Sequence, residues 1–467
     1  MTGTYLARTD AAPSDDSERY TSGARRPASS KRARGPGRRA TGRPRCAARR
    51  ALVLRLSAVL LAALALAPAA AAQDTTGVAE VDSLRERVRR AEEAIELLRE
   101  QLATQAASGV QTASRVQAEL FGRVLTNAFY NSAAVNNADV PLFVARDRGR
   151  GGLGATVRQT SLGVAVSVAR VLGGDFAGDL HADFFGGQQP SSGGRHFPLL
   201  RVRTAHGIVR WSRAELLVGQ ESPLVAGVDP VSVASFGTPD FTAAGNLWLW
   251  LPQLRVTREL GTPARLAVQA AIVAPTTGDP VGAFDTSVDS AEQSNRPVVQ
   301  ARLRARWGDD ARAGEVGVGV HQGWVRRTDG SRVSSDAVVF TAVVPLTPMV
   351  ELRGEAYAGR ALRGLGGGGI GQNLTTGGAP VRDRGGWAQL NVRPSPIVEL
   401  GAGCGGADPR DEALPAGRLR NVACEGHVIT RPGGGVLAGV EYRRLRTTYA
   451  DGTAESDHIN LAVGFEF

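Results

Sequence analysis

The 467-residue chain carries a formal charge of +10, yet residues 1–72 hold all of it: 14 basic and 4 acidic side chains lie there, and 41 of each sign lie beyond. That balance removes the case for nucleic-acid binding which the whole-chain charge suggests. Gly is abundant at 58 residues, and no Pro/Ser linker or composition break follows residue 116, so one long β domain is expected rather than several soluble ones.

Residues 1–50 are Arg-rich and polar. From Leu52 to Ala67 the chain is apolar except for Arg55 and Ser57, and Pro68 with Ala70-Ala71-Ala72-Gln73 follows. This is the pattern of a secretory signal peptide cut after Ala72. Arg49-Arg50 resembles a twin-arginine signal only loosely, and that route carries folded proteins, whereas a barrel must reach its membrane unfolded. Next, Val81, Leu84, Val88, Ala91, Ile95, Leu98 and Leu102 recur in steps of three and four, the a/d spacing of a short coiled coil. An amphipathic helix lying on or in the barrel is the other reading. Residues 105–114 are small and polar and read as a linker. The expected organisation is a leader and signal over 1–72, a periplasmic coiled-coil helix and linker over 73–115, and a barrel over 116–467.

From Val116 the chain runs as about sixteen segments of alternating polarity, ending in Ile459, Leu461, Val463, Phe465 and Phe467 on one face and His458, Asn460, Gly464 and Glu466 on the other. Tight turns such as Leu172-Gly173-Gly174 and Pro432-Gly433-Gly434 alternate with long loops. Short turns on one rim, long loops on the other and a terminal aromatic strand predict an all-β fold, a transmembrane antiparallel β-barrel of the bacterial outer membrane. The loop from Gln220 to Asn246 holds Pro223, Phe236 and Phe241, an apolar content that predicts folding into the lumen or packing on a neighbouring subunit.

The stretches Glu351–Leu362, Gly366–Asn373, Gly385–Ser395, Gly439–Tyr449 and His458–Phe467 resemble the C-terminal half of DcaP-like outer-membrane porins, which are also similar in placing a coiled coil before the barrel. The resemblance implies a trimeric passive channel with a preference for small carboxylates. It brings no catalytic signature and no cofactor. The histidines are scattered, without zinc spacing, and Gly366-x-Gly368-x-x-Gly371 opens no helix, so it is a loop rather than a phosphate cradle. The function expected is passive diffusion of small hydrophilic, preferably anionic solutes through a homotrimer in outer-membrane lipid. The alternatives are a tethering protein acting through its coiled coil, and a barrel-borne hydrolase.

Strand parity nominates the lumen lining. Arg302, Arg304 and Arg306 share a face opposite Val299, Leu303 and Trp307, and an Arg at the lipid midplane costs about 2–4 kcal/mol, so these three must face water. By the same parity Arg201, Arg203 and Arg255 point inward, the last opposite Trp248, Trp250, Leu254 and Val256. Asp179, Asp183, Glu351 and Glu355 supply acids. A basic wall facing an acidic wall is the expected arrangement, and it would orient solutes in a transverse field. Cys404 and Cys424 flank a long loop and meet an oxidising route on export, which predicts a disulfide. Deleting residues 78–105 should leave an inserted barrel whose trimer dissociates at lower temperature on seminative gels; an unchanged dissociation temperature would assign the helix to tethering or plugging.

Overall fold

Each alternating segment from Val116 onward has one apolar face and a backbone whose N–H and C=O groups need lateral partners, and a ring of antiparallel strands answers both demands. In the computed structural model of the protein, which describes residues 89–90, 110–111, 116–147, 149–186, 198–261, 265–278, 288–308, 312–409 and 413–467, the strands are β1 (Val110–Gln111), β2 (Val116–Ala133), β3 (Arg150–Thr156), β4 (Ser161–Val171), β5 (Gly174–Gly186), β6 (Leu199–Arg210), β7 (Ala214–Glu221), β8 (Leu251–Gly261), β9 (Arg265–Val273), β10 (Val298–Trp307), β11 (Gly314–Arg326), β12 (Arg332–Pro345), β13 (Val350–Arg360), β14 (Arg382–Val392), β15 (Val398–Ala407), β16 (Arg418–Gly433), β17 (Val436–Tyr449) and β18 (Gly452–Glu466).

The sheet closes where β18 pairs with β2, from His458 opposite Asn131 to Glu466 opposite Arg123. β3 and β4 lie end to end along β2, one against its upper half and one against its lower half, so they form a single interrupted stave. The result is a closed antiparallel barrel of 16 strands. Outward positions are apolar and exposed, as at Leu120, Leu254, Phe340, Leu461 and Phe467, while inward positions carry buried polar groups such as Asn127, Gln300, Asn391 and Asn460.

Three features depart from the sequence reading. Residues 150–156 form a strand that the alternation did not mark. The break after them lets Arg158 turn inward, where Nε donates to Asp139 Oδ2 at 2.7 Å and Nη2 to Asn137 at 2.7 Å. Val110–Gln111, expected in a linker, pairs with β2. The segment expected to begin at 247 begins at Leu251, and Trp248 and Trp250 are not on the lipid face. They lie inside, edge to face with ring centroids 4.9 Å apart and each 8% exposed. The apolar alternation runs on past the strand end because the loop preceding β8 is itself buried. The signal peptide and coiled coil expected over 1–115 lie outside the described residues, apart from Arg89 and Arg90, which are helical and exposed, and the pair in β1.

Cys404 and Cys424 are direct partners across β15 and β16, joined as a disulfide with Cα atoms 4.0 Å apart. They sit within the ladder, on the outward face, rather than at the foot of the loop. The closed loop of 20 residues would stabilise by roughly 3 kcal/mol if the loop were otherwise free. Here neighbouring backbone bonds already hold both ends. Cys404→Ala with Cys424→Ala should therefore lower the thermal unfolding midpoint by less than that figure implies, measured by the heat-modifiable mobility of the barrel; loss of folding would show that the bridge is needed to set the β15–β16 register.

Candidate functional site: the barrel lumen

Residues 222–250, between β7 and β8, fold into the barrel and line its wall. Leu224, Val225, Val228, Val233, Phe241 and Leu247 are all buried, packing against inward side chains of successive strands. At β11 the inward position is Gly319, where a Cβ would approach Val225 Cγ1 to 2.7 Å, so a glycine there makes room for the loop. Polar inward residues then satisfy the loop backbone, as buried amides require. Val231 exchanges hydrogen bonds with Gln389, its N–H donating to Oε1 at 2.8 Å and its C=O accepting from Nε2 at 2.7 Å. Asn127 Nδ2 donates to Val233 O at 2.8 Å, Gln159 Nε2 to Ala234 O at 2.8 Å, and Asn421 Nδ2 to Ala243 O at 2.9 Å. The Leu247 N–H donates to Glu355 Oε1 at 3.0 Å. Arg443 anchors the far side through Ser235 at 2.7 Å and Asp240 at 3.1 Å.

Against β14–β18 the loop is therefore sealed by buried polar contacts. On the loop itself Gly227 and Asp229 are exposed and Phe236 is half-buried. Asp229 lies within electrostatic range of Arg203 and Arg353. Along β2–β8 four guanidiniums alternate with three rings, each pair close enough for a cation–π contact. Arg158 lies 3.7 Å over Phe185, Arg201 lies 5.3 Å from Phe185 and 5.2 Å from Trp250, Arg203 lies 4.5 Å from Trp250 and 4.3 Å from Phe236, and Arg123 lies 3.9 Å over Phe236. At the short-turn rim Arg123 opens a chain of ion pairs through Glu466 (3.0 Å), Arg431 (3.2 Å), Glu399 (3.2 Å) and Arg393 (2.8 Å), beside a cavity of about 440 Å³. A column of arginines, partly neutralised by Asp139, Asp183, Glu466 and Glu399, thus runs along this wall to the short-turn rim.

The ten residues nominated by parity all project inward, but they do not form opposed walls. Asp183 pairs with its neighbour across the ladder, Arg201, at 2.7 Å, and Arg203 stands 3.9 Å away. Asp179 accepts from Thr204 at 2.6 Å and meets His206 at 3.0 Å. Arg302 binds Glu315 at 2.9 Å and Thr341 at 2.6 Å, Arg304 binds Glu259 at 3.0 Å, and Arg306 lies 3.5 Å from Glu315. Arg255 donates to Ser222 O at 2.6 Å and so holds the start of the loop. Glu351 pairs with Arg353, 2.8 Å from its Nε, and Glu355 is buried under Leu247. Acids and bases interleave on adjacent strands because an unpaired charge against a protein wall is costly. Parity missed Arg123, although it lies between outward Gly122 and Val124 in the first strand. Phe236 is marked only as part of the apolar loop, and Arg158, Phe185 and Asp229 gave no signal, since their placement follows from the stave break and the inserted loop.

Glu425, His427 and Glu441 also converge, with ligand atoms within 4.8 Å of one another. Their oxygens already accept protein donors: Gln389 at 2.9 Å on Glu425, and Ser232 and Arg443 at 2.7 Å on Glu441, while His427 Nδ1 lies 3.1 Å from Glu425. The cluster is part of the seam that holds the loop.

No protein-family model matches the sequence, and no curated protein matches it. Among solved structures the chain is similar to the outer membrane channel DcaP of Acinetobacter baumannii, with a TM-score of 0.60 at 16% identity over 77% of this chain and 100% of that one. It is also similar to an anion-selective porin from Comamonas acidovorans, with a TM-score of 0.50 at 11% identity over 75% of this chain and 100% of that one. At such identities the likeness is one of fold.

The loop carries one titratable group suited to a pH test. Burial raises the Asp240 carboxyl to about 7; Arg443 opposes the rise, and Glu441 and Glu425, which share that arginine, reinforce it. A carboxyl raised above its unfolded value holds a proton in the folded state that the unfolded chain has lost, so its stabilising contribution is full in acid and disappears as pH climbs through about 7. The barrel should melt higher in mildly acidic than in mildly alkaline buffer, and Asp240→Asn should flatten that difference in scanning calorimetry. An undiminished pH dependence in the variant would place the titration elsewhere.

Proposed function

We propose that the protein is an outer-membrane porin, assembled as a homotrimer, through which small hydrophilic and preferably anionic solutes diffuse. The observation that carries this reading is the column Arg158, Arg201, Arg203 and Arg123, interleaved with Phe185 of the wall and with Trp250 and Phe236 of the inserted loop. Closely spaced guanidiniums offer a carboxylate successive forked donors, and each handover needs little reorganisation because the rings hold the guanidinium planes in place. Partial pairing with Asp183 and Glu466 keeps each site weak enough to release its solute. Asp229 of the loop lies within electrostatic range of Arg203, and in this reading the field between them orients a dipolar solute.

Arg302, Arg304 and Arg306, with Arg255, would set the potential of the neighbouring wall. Glu315 and Glu259 offset much of their charge, so in this reading they tune selectivity while the aromatic-stacked column dominates it. A coiled coil formed by the a/d positions from Val81 to Leu102 would extend into the periplasm and support the trimer.

Reversal potentials across planar bilayers in a salt gradient test these roles. Arg123→Ala with Arg203→Ala should move selectivity from anions toward cations, most strongly at low salt, where the Debye length is about 30 Å at 0.01 M. The Arg302, Arg304 and Arg306 triple alanine variant should shift it in the same direction by less, and Asp229→Asn should shift it the opposite way. An inserted trimer whose reversal potential ignores all three changes would mean that solutes do not pass along this wall.

A further inference from the structure

The outward surface of the barrel is not uniform around its circumference. On β13 the outward positions climb from the turn rim through Val350, Leu352, Gly354, Ala356 and Ala358, and then reach Arg360. On β18 they climb from Phe467 to Ile459 and then reach Asp457. Arg360 Nε donates to Asp336 of β12 at 2.6 Å, Arg384 of β14 binds Asp408 just past β15 at 2.7 Å, and Arg444 of β17 binds Asp457 at 3.1 Å and Glu455 at 2.6 Å. Arg446 joins Glu455 at 3.5 Å. The arginine side chains of these pairs remain between 49% and 62% exposed. Arg326 and Arg420 add outward positive charge on the long-loop side of the same strands, so arginines outnumber acids in the belt among the described residues.

The other half of the barrel differs. At the long-loop end of β2–β10 the outward positions are apolar and exposed, among them Tyr130, Leu153, Leu200, Val202, Ile272 and Val299, and no charged side chain shares that level among the described strand residues.

We infer that the belt on β11–β18 docks the phosphate-bearing headgroups of anionic lipids in the leaflet at the long-loop rim. Charge is tolerated on the outward face only where the apolar core of the bilayer ends, so the arginines mark the headgroup level. Each acid takes only part of its arginine's donors: Asp408 engages Nε and Nη2 of Arg384, and a guanidinium has five N–H groups. The donors left over suit a phosphate in forked geometry. A second copy of this chain fits the belt poorly, because like-charged arcs would meet, whereas the apolar half offers such a copy a neutral surface.

This inference rests on the reading of the chain as a membrane barrel. The test is electron paramagnetic resonance of the full-length protein reconstituted in phosphatidylcholine bilayers, with spin-labelled phosphatidic acid or spin-labelled phosphatidylcholine as the probe. The parent should hold phosphatidic acid in its motionally restricted boundary shell several-fold over phosphatidylcholine. That preference should fall when salt is raised, and largely disappear in the Arg384→Gln, Arg444→Gln, Arg446→Gln variant. Should the triple variant not fold, the salt series on the parent and the single Arg384→Gln change decide the question. An inserted parent with no preference, or a preference untouched by both salt and substitution, overturns the inference. So does a triple variant that loses its oligomer while keeping the lipid preference, since the belt would then be a contact between copies. A parent with no restricted lipid of either kind would overturn the membrane reading itself, and this inference with it.

Discussion

Everything in this molecule depends on the closure of the backbone hydrogen-bond ring. A strand edge facing hydrocarbon would leave several unpaired N–H and C=O groups, each costing several kcal/mol, so the sheet is stable in lipid only when its last strand finds its first. Here β18 meets β2, and the chain end completes the seam: the Gly122 N–H donates to Phe467 O at 2.9 Å and the Phe467 N–H to Gly122 O at 3.1 Å. Once closed, the ring fixes a side-chain parity for every strand, and that parity separates an apolar exterior from a polar interior with no further instruction.

The interior of such a ring is too wide for side chains alone to fill, and the 222–250 loop supplies what is missing. Its docking is asymmetric. Toward β14–β18 nearly every polar inward group meets a loop backbone atom or another buried side chain, as in the Glu441, Arg443, Ser232 and Ser235 group. These contacts hold the loop backbone at Val231, Val233 and Ala243. Along β2–β8 the same loop instead lays Phe236 and Trp250 against Arg123, Arg201 and Arg203.

The charges obey the same economy of partners. Alternating strands that carry acids and bases could have produced two separated walls, but antiparallel neighbours bring Asp183 beside Arg201 and Glu315 beside Arg302 and Arg306. Paired charges cancel at a distance, so a field across the water path must come from groups whose partners are incomplete or lie across the gap. Arg203, stacked on Phe236 and only 3.9 Å from Asp183, with Asp229 within electrostatic range, meets that condition.

The sequence by itself determined the period-two patterning, the number of staves, the alternation of short turns with long loops and the inward direction of Arg201, Arg203, Arg255, Arg302, Arg304 and Arg306. All of these follow from the local geometry of an extended chain, in which a residue's face depends only on whether its position is odd or even. Other properties depend on which strands become neighbours and on where a loop goes, and these are set by contacts between residues more than a hundred positions apart. Asn127 reaches Val233, Gln389 reaches Val231, and Arg443 reaches Ser235. Trp248 and Trp250 show the limit most plainly: their alternation is that of a strand facing lipid, yet the loop carries them inside, where Trp250 stacks with Arg203. Only the tertiary structure decided this, because an apolar residue is driven out of water in the same way by lipid and by a protein interior, and the pattern of hydrophobicity cannot distinguish the two.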